Sequence, residues 1–232
     1  MVPGRVPAVL GRINGVEMPL MLDTGTSMVT MTAEAARAAG IYLPSRTAEA
    51  VGGPGHVTAS RVCAFAEIEV GGNRFGPGLA TIPVDVPPHR WMGLGGRYAI
   101  VGCSVLSHFA VTFDFAKKEV RLRPTGRPGY ADHLLTTVVV NGKPYWLMVD
   151  SGATAVFLEP WAALELDLIS AERAKRHENL PGDASDALHS GFTLGTVRVA
   201  GRLFRDLDAA AVNTFGDRRT EAVYPPEQHR TP

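Results

Sequence analysis

The chain has 232 residues, and its 23 Lys and Arg side chains balance 23 Asp and Glu side chains, so the formal net charge is zero. Apolar residues make up 45% of the chain and charged residues 20%, as in ordinary globular proteins, and the length allows one large or two small domains. The balanced charge argues against a nucleic-acid-binding surface, and two cysteines are too few for a disulfide-rich scaffold.

The chain has no apolar run near the ~20 residues that a membrane-spanning helix needs. Its first ten residues hold one Arg, two Pro and no apolar stretch of useful length, so they do not resemble a signal peptide. The cellular location stays open: we expect the chain as written to be cytoplasmic, and periplasmic or secreted if a leader was removed.

Short apolar or alternating runs, separated by glycine, proline and asparagine, predict a mainly β chain. Asn14-Gly15 and Asn141-Gly142 each indicate a tight hairpin turn, because both central residues of that turn need positive φ. The predicted strands are, in chain order, Val6–Ile13, Val16–Leu22, Arg61–Val70, Leu79–Val84, Tyr98–Val101, Val111–Phe115, Val120–Arg123, Leu134–Val140, Tyr145–Val149, Ser190–Val199 and Leu207–Val212. Short helices are predicted at Thr32–Gly40, which has a capping residue and a terminal glycine, and at Trp161–Leu168, which follows a proline.

An internal repeat organises the chain. Residues 13–27 and 140–154 both run from an Asn-Gly pair through an apolar stretch to Asp-[Thr/Ser]-Gly. The asparagine lies nine positions before the aspartate in each copy (23 − 14 = 9 and 150 − 141 = 9), and the copies are offset by 150 − 23 = 127. A lone triplet of this kind is more simply a β-turn, but two copies at the same place in a repeat favour a shared chemical role.

A second match extends the repeat, since VGGNRF at 70–75 corresponds to VAGRLF at 199–204 with an offset of 199 − 70 = 129. We therefore predict two related lobes. The expected boundaries are a first lobe at 1–124, a linker at 125–130, a second lobe at 131–217 and a polar tail at 218–232.

The repeated aspartates, Asp23 and Asp150, suit hydrolysis by water, which needs one group to take a proton and another to give one. Two carboxylates held a few ångströms apart share a single proton and do both. Gly25 and Gly152 let the backbone turn tightly beneath each carboxylate. The hydroxyls of Thr24 and Ser151 can hydrogen-bond to each other and hold the two loops in register.

The segments LMLDTGTS and LMVDSGAT, together with Ile100-Val101-Gly102 followed by CSVLSHFAVTFDF, resemble the retropepsin-like aspartic peptidases. The two copies in one chain resemble the layout of pepsin-type enzymes. The resemblance implies an all-β fold with a few short helices, in which each lobe is a closed acid-protease-like β-barrel. It also implies a crossed loop at Ala99–Gly102, a helix at Ser104–Phe109 and a hairpin at Val111–Arg123.

The resemblance further implies an aspartic endopeptidase that activates a water between catalytic Asp23 and Asp150. Thr24, Gly25, Thr26, Ser151 and Gly152 would support the pair. A flap over the substrate would carry Gly52, Gly53 and Gly55, with a weaker counterpart near Leu180–Asp183. No metal or organic cofactor is implied. The expected partner is a peptide or protein substrate, without nucleic acid or a membrane span, and the chain is expected to be a monomer or a homodimer.

Two departures from the family pattern bear on activity. Thr26 offers Asp23 a hydroxyl, whereas Ala153 offers Asp150 none, so we expect Asp23 to be the more readily ionised member. At an offset of 129 the crossed loop would recur at 229–231, which are His, Arg and Thr. The second lobe is therefore expected to lack the crossed loop, helix and closing hairpin.

Other functions remain open. If the incomplete second lobe fails to position Asp150, the chain is a non-catalytic peptide-binding module; if two chains associate, Asp23 from each forms the pair. None of the seven histidines has a metal-ligand spacing, and no serine lies in G-x-S-x-G. Cys63 and Cys103 are expected to be separate core thiols, with packing favoured over nucleophilic catalysis for Cys103, although sequence leaves their pairing undecided.

Overall fold

The computed structural model describes residues 6–51, 57–84, 96–126, 133–153, 155–174 and 191–212. Strands predominate and the helices are short, which confirms the mainly β prediction. The strands are β1 Ala8–Ile13, β2 Val16–Leu22, β3 Val29–Met31, β4 Ala48–Val51, β5 Val57–Phe65, β6 Ile68–Val70, β7 Asn73–Phe75, β8 Gly78–Pro83, β9 Ala99–Val101, β10 Phe109–Asp114, β11 Glu119–Pro124, β12 Leu135–Val140, β13 Lys143–Met148, β14 Val156–Leu158, β15 Phe192–Val199 and β16 Arg202–Ala211. The helices are α1 Ala33–Ala38, α2 Cys103–Leu106 and α3 Pro160–Glu165.

The first sheet has nine strands in the order β4-β5-β8-β3-β9-β2-β1-β6-β7. Its interior is lined by apolar side chains from β1, β2, β3 and β8 and from α1, which gives this part of the chain its core. Strand β9 lies between β2, which it pairs in parallel, and β3, which it pairs antiparallel. This insertion brings residues 99–101 directly beside the end of β2.

The predicted strand Arg61–Val70 is wrong in one respect, because it is two strands, β5 and β6. The break falls at Ala66 and Glu67, whose backbone N–H groups both donate to Oδ1 of Asn14, at 2.9 and 3.1 Å. These two N–H groups bind the carboxamide of Asn14 in place of a backbone carbonyl of a neighbouring strand, so the strand ends there. The predicted helix Ser104–Phe109 is also shorter and earlier, since α2 ends at Leu106 and Phe109 begins β10.

Both Asn-Gly turns have the positive φ that the sequence predicts, with Asn14 at 48° and Asn141 at 47°. Each asparagine side chain also accepts a hydrogen bond from a later strand region. Oδ1 of Asn141 accepts the N–H of Thr196 at 2.9 Å, as Oδ1 of Asn14 accepts that of Glu67. The partners differ by 196 − 67 = 129 positions, which is the offset of the second sequence match.

The parallel pairings repeat as well. Val29 of β3 pairs with Ala80 of β8, and Val156 of β14 pairs with Ala209 of β16. The first members differ by 156 − 29 = 127 and the second by 209 − 80 = 129. The repeat seen in the sequence is therefore a repeat of strand pairing.

The second sheet has the order β13-β12-β15-β16-β14. Within the described residues it has no counterpart of β9, and the positions where sequence places one, 229–231, lie outside them. The described elements fall into two compact units: one holds the first half of the chain on to Val138, together with Tyr145–Thr154, and the other holds Val139–Pro144 with β14, α3, β15 and β16. The lobe boundaries drawn from sequence stay a prediction. No helix in the described part of the chain is long and apolar enough to span a membrane.

Helices α1 and α3 end in the same motif. After α1 the N–H of Ile41 donates to the carbonyl of Ala36, and Gly40, at φ 67°, donates to that of Arg37. After α3 the same two bonds form 127 positions later, around Asp167 at φ 57°. This is the left-handed termination that favours glycine, and an aspartate occupies it in the second copy.

We expect Gly40→Ala to lower the free energy of unfolding by about 1 kcal/mol, because the left-handed backbone disfavours a Cβ. A Cβ at Gly40 meets no atom within 4 Å, so the cost is conformational and not steric. Urea unfolding measures it. Gly40→Asn is the control and should stay close to wild type, since asparagine tolerates this conformation; equal losses for both variants would contradict the explanation.

Candidate active site

Asp23 follows directly after β2 and is held by the crossed strand β9. Its backbone N–H donates to the carbonyl of Val101 at 3.0 Å, which extends the parallel pairing of Leu22 with Val101. The residue is only 9% exposed. Strand pairing therefore sets both the position and the burial of this carboxylate.

The residues after β9 close the crossed loop against the turn that follows Asp23. The N–H of Cys103 donates to the carbonyl of Thr26 at 2.7 Å, and that of Ser104 donates to the carbonyl of Ser27 at 2.8 Å. A Cβ on Gly102 would overlap the carbonyl oxygens of Thr26 and Met28, so this close approach requires glycine. The loop that the resemblance placed at Ala99–Gly102 is present in this form.

Asp150 lies two residues after β13, at the start of a turn of the same kind, in which the N–H of Ala153 donates to the carbonyl of Asp150. Its Oδ1 accepts the N–H groups of Gly152 and Ala153, at 2.7 and 3.0 Å. Oδ1 of Asp23 accepts the N–H of Gly25 at 2.8 Å, and its Oδ2 accepts the Thr26 hydroxyl at 2.9 Å. Ala153 has no side-chain hydroxyl, but its backbone N–H still donates to Asp150, which the sequence did not predict.

Thr24 and Ser151 join the two turns by four reciprocal hydrogen bonds. The Thr24 hydroxyl donates to the carbonyl of Val149 at 2.6 Å and accepts the N–H of Ser151 at 3.0 Å. The Ser151 hydroxyl donates to the carbonyl of Leu22 at 2.8 Å and accepts the N–H of Thr24 at 3.1 Å. The two hydroxyl oxygens are 3.4 Å apart. Each side chain therefore binds the backbone of the opposite turn, beyond the hydroxyl contact that the sequence predicts.

The two glycines of the repeated triplet let the carboxylates approach each other. A Cβ on Gly25 would overlap the carboxylate of Asp150, and a Cβ on Gly152 would lie 2.8 Å from Cγ of Asp23. Each glycine backbone thus packs against the opposite aspartate. These contacts lie within one compact unit, because Tyr145–Thr154 belongs to the same unit as the first half of the chain.

Burial raises the pKa of Asp23 from its ordinary 3.8 to about 6, and the neighbouring charge of Asp150 and a hydrogen bond with its carboxyl add to the rise. The bonds from Gly25 and Thr26 lower this pKa, but less than burial raises it. Asp23 therefore ionises at a higher pH than a free aspartate, which is opposite to the effect that the Thr26 hydroxyl alone predicts. The hydroxyl has the predicted effect, but burial, which the short motif does not reveal, outweighs it.

Among the remaining predicted residues, the flap glycines Gly52, Gly53 and Gly55 lie outside the described residues, as does the counterpart at Leu180–Asp183. Cys63 and Cys103 are both buried and form no disulfide, as expected. No group of three or more His, Cys, Asp or Glu side chains in the described ranges is arranged to hold a metal ion.

His133 is a neighbour of the site that sequence did not single out. Its Nε2 lies 3.3 Å from the hydroxyl of Ser27, which is two residues after the first triplet; His133 is exposed and Ser27 is half-buried.

We expect Thr24→Val to lower the free energy of unfolding by about 2 kcal/mol, because the isosteric valine leaves a carbonyl at Val149 and an N–H at Ser151 without their partner. Chemical unfolding measures the loss. The control Thr30→Val removes one hydroxyl bond, to Thr81 at 2.8 Å, and should cost clearly less. Equal costs would show that the four-bond exchange adds nothing to stability.

The raised pKa of Asp23 predicts how stability depends on pH. The group favours the folded state below about pH 4, where both states are protonated, and this contribution is lost as the pH rises through about 6. Relative to Asp23→Asn, the wild type should lose on the order of 2 kcal/mol between pH 4 and pH 7. Urea unfolding at both pH values measures it, with exposed Asp208→Asn as control; a constant difference between wild type and Asp23→Asn contradicts it.

Comparison with known proteins gives one match in each half of the chain. A family model of the gag-polyprotein putative aspartyl protease matches residues 9–107, and an aspartyl protease model matches residues 136–223. The two spans contain Asp23 and Asp150, respectively. No protein of curated function matches the sequence.

Solved structures also resemble parts of the chain. A retropepsin-like aspartic protease from Rickettsia conorii is 19% identical, with a TM-score of 0.35, and the match covers 50% of this chain and 78% of that one. The retroviral protease-like domain of Ddi1 from Leishmania major is 16% identical, with a TM-score of 0.36, and the match covers 53% of this chain and 93% of that one. On the two aspartyl protease matches and the Asp-[Thr/Ser]-Gly turn in each, this protein belongs to the retropepsin-like aspartic peptidase family.

Proposed function

We propose that the chain is an aspartic endopeptidase whose catalytic pair is Asp23 and Asp150 of the same molecule. One observation carries the proposal: each carboxylate has the glycine backbone of the opposite triplet packed against it. Two carboxylates this close share a proton, which is the arrangement that water-mediated peptide hydrolysis needs.

In the proposed reaction Asp23 carries the shared proton, in keeping with its pKa of about 6. Asp150 takes a proton from water while the water oxygen bonds to the peptide carbonyl carbon, and Asp23 gives its proton to the carbonyl oxygen. The resulting diol returns that hydroxyl proton to Asp23 as the C–N bond breaks, and the amine leaves with the proton held by Asp150. The products are an acid and an amine, and the pair ends as it began, with one proton on Asp23.

The hydrogen bonds within the chain favour this pair over one made from two copies of Asp23. Within a single molecule, the hydroxyl of Thr24 accepts the backbone N–H of Ser151, and the hydroxyl of Ser151 accepts that of Thr24. Asp150 is also the charged neighbour that raises the pKa of Asp23. A second copy of Asp23 would have to displace this whole turn.

A peptide-binding module is the second candidate, and one observation favours it. Asp23 is held from below by Val101, whereas among the described residues no strand corresponding to β9 supports Asp150. If Asp150 shifts in solution, the chain would bind peptides without cutting them.

The test is cleavage of labelled, unfolded casein by the full chain between pH 3 and pH 7. Asp23→Asn and Asp150→Asn are each expected to lower the rate about a thousandfold or more, because neither carboxylate can replace both roles. Asp208→Asn, the same change at an exposed position in β16, should leave the rate unchanged.

The other outcomes separate the alternatives. Loss of activity in Asp23→Asn but not in Asp150→Asn would replace the proposal with a self-associated pair. A wild type that binds a statine-containing peptide but cleaves nothing would support the binding module and overturn the peptidase.

A further inference from the structure

Cys103 has a buried thiol that the proposed reaction does not use. The residue forms two hydrogen bonds with the turn at Asp23–Thr26, here called the catalytic turn. Its backbone N–H donates to the carbonyl of Thr26, and its Sγ donates to the carbonyl of Thr24 at 3.3 Å. The side chain is placed there by Gly102, which allows the crossed loop to approach the turn. The thiol therefore lies on the side of the Thr24–Gly25 peptide away from the carboxylates.

The two ends of that peptide have different partners. The carbonyl of Thr24 accepts the thiol of Cys103, while the N–H of Gly25, in the same planar unit, donates to Oδ1 of Asp23 at 2.8 Å. A donor at the carbonyl polarises the amide and strengthens the N–H as a donor, and it also resists rotation of the peptide plane. One peptide group thus connects the thiol of Cys103 with the carboxylate of Asp23.

We propose that Cys103 is a positioning residue for the peptidase site, whose thiol holds the Thr24–Gly25 peptide so that the Gly25 N–H is aimed at the carboxylate of Asp23. The expected effect on peptide cleavage rests on the proposed function. The hydrogen-bond relay, from the Cys103 thiol through the Thr24–Gly25 peptide to the Asp23 carboxylate, does not. Asp150 is the charged group that faces Asp23, and it is unchanged in every variant below.

The second cysteine supplies a matched control. Cys63 is as buried as Cys103, each at 5% exposure, and its Sγ also donates to a backbone carbonyl, that of Ala80 at 3.6 Å. That carbonyl belongs to β8 and has no part in the catalytic turn. Cys63→Ala removes the same atoms from an equally buried place without touching the relay.

The first readout is the titration of the Asp23 carboxyl, followed by carbon NMR with Asp-labelled protein and assigned with Asp23→Asn. Cys103→Ala is expected to raise the pKa of Asp23 by about half a unit, because a weakened Gly25 donor stabilises the charged form less. Cys103→Val, which fills the space without a donor, should give the same shift. Cys103→Ser restores a donor and should return toward wild type, and Cys63→Ala should not differ from wild type.

The second readout is casein cleavage, where Cys103→Ala and Cys103→Val should lower kcat about fivefold with KM unchanged, because the misaligned group acts on the reacting atoms and not on peptide binding. A titration of Asp23 that is the same in wild type, Cys103→Val and Cys103→Ser overturns the relay. If Cys103→Ala does not fold, that comparison of valine with serine decides alone. If the wild type has no peptidase activity but the Cys103 variants shift the titration of Asp23 as expected, the proposed function is overturned and the relay stands.

Discussion

The exchange of hydrogen bonds between Thr24 and Ser151 is the constraint on which the arrangement of this site depends. Each hydroxyl binds a backbone carbonyl and a backbone N–H of the opposite turn, so four bonds fix the distance and the angle between two turns that are 127 residues apart. Both turns must have the tight Asp-[Thr/Ser]-Gly form for these bonds to be made. The same requirement brings Gly25 and Gly152 against the opposite carboxylates.

Holding two carboxylates so close opposes folding, because burial and mutual repulsion disfavour their charges. The raised pKa of Asp23 is the visible result of this opposition. The turns reduce the cost with directed donors: Gly25 and Thr26 on Asp23, and Gly152 and Ala153 on Asp150. In the proposed function a single shared proton relieves the repulsion that remains, and the same proton serves the acid step. The energetic cost of the site and its chemistry thus have a common origin.

Local signals in the sequence predicted much of this structure. The Asn-Gly turns, the glycine after α1 and each Asp-[Thr/Ser]-Gly turn depend on residues within a few positions, and each has its expected backbone form. Contacts between distant residues were harder to predict. The break between β5 and β6 comes from the carboxamide of Asn14, more than fifty positions away, and an apolar pattern cannot register it.

The ionisation of Asp23 shows a second limit. The fourth residue of the motif correctly indicated a hydroxyl donor, but the sign of the net shift is set by burial, which arises from the packing of β2 against β9 and their neighbours. The contact of Cys103 with Thr24 has the same origin, since it depends on how closely Gly102 lets the crossed loop approach. Motif residues specify which groups are available, and the three-dimensional fold determines which of their effects is larger.

The two halves of the repeat support their aspartates differently. Asp23 is held through its backbone by Val101 and through its turn by Cys103 and Ser104. In the described part of the chain, Asp150 depends instead on its own turn and on the hydroxyls of Thr24 and Ser151. The turn of Asp23, which the crossed loop supports, can therefore position the turn of Asp150, because four hydrogen bonds join the two turns. On this argument the support beneath Asp23 matters for both carboxylates, and a disturbance of the crossed loop at Gly102 or Cys103 would reach Asp150 through Thr24.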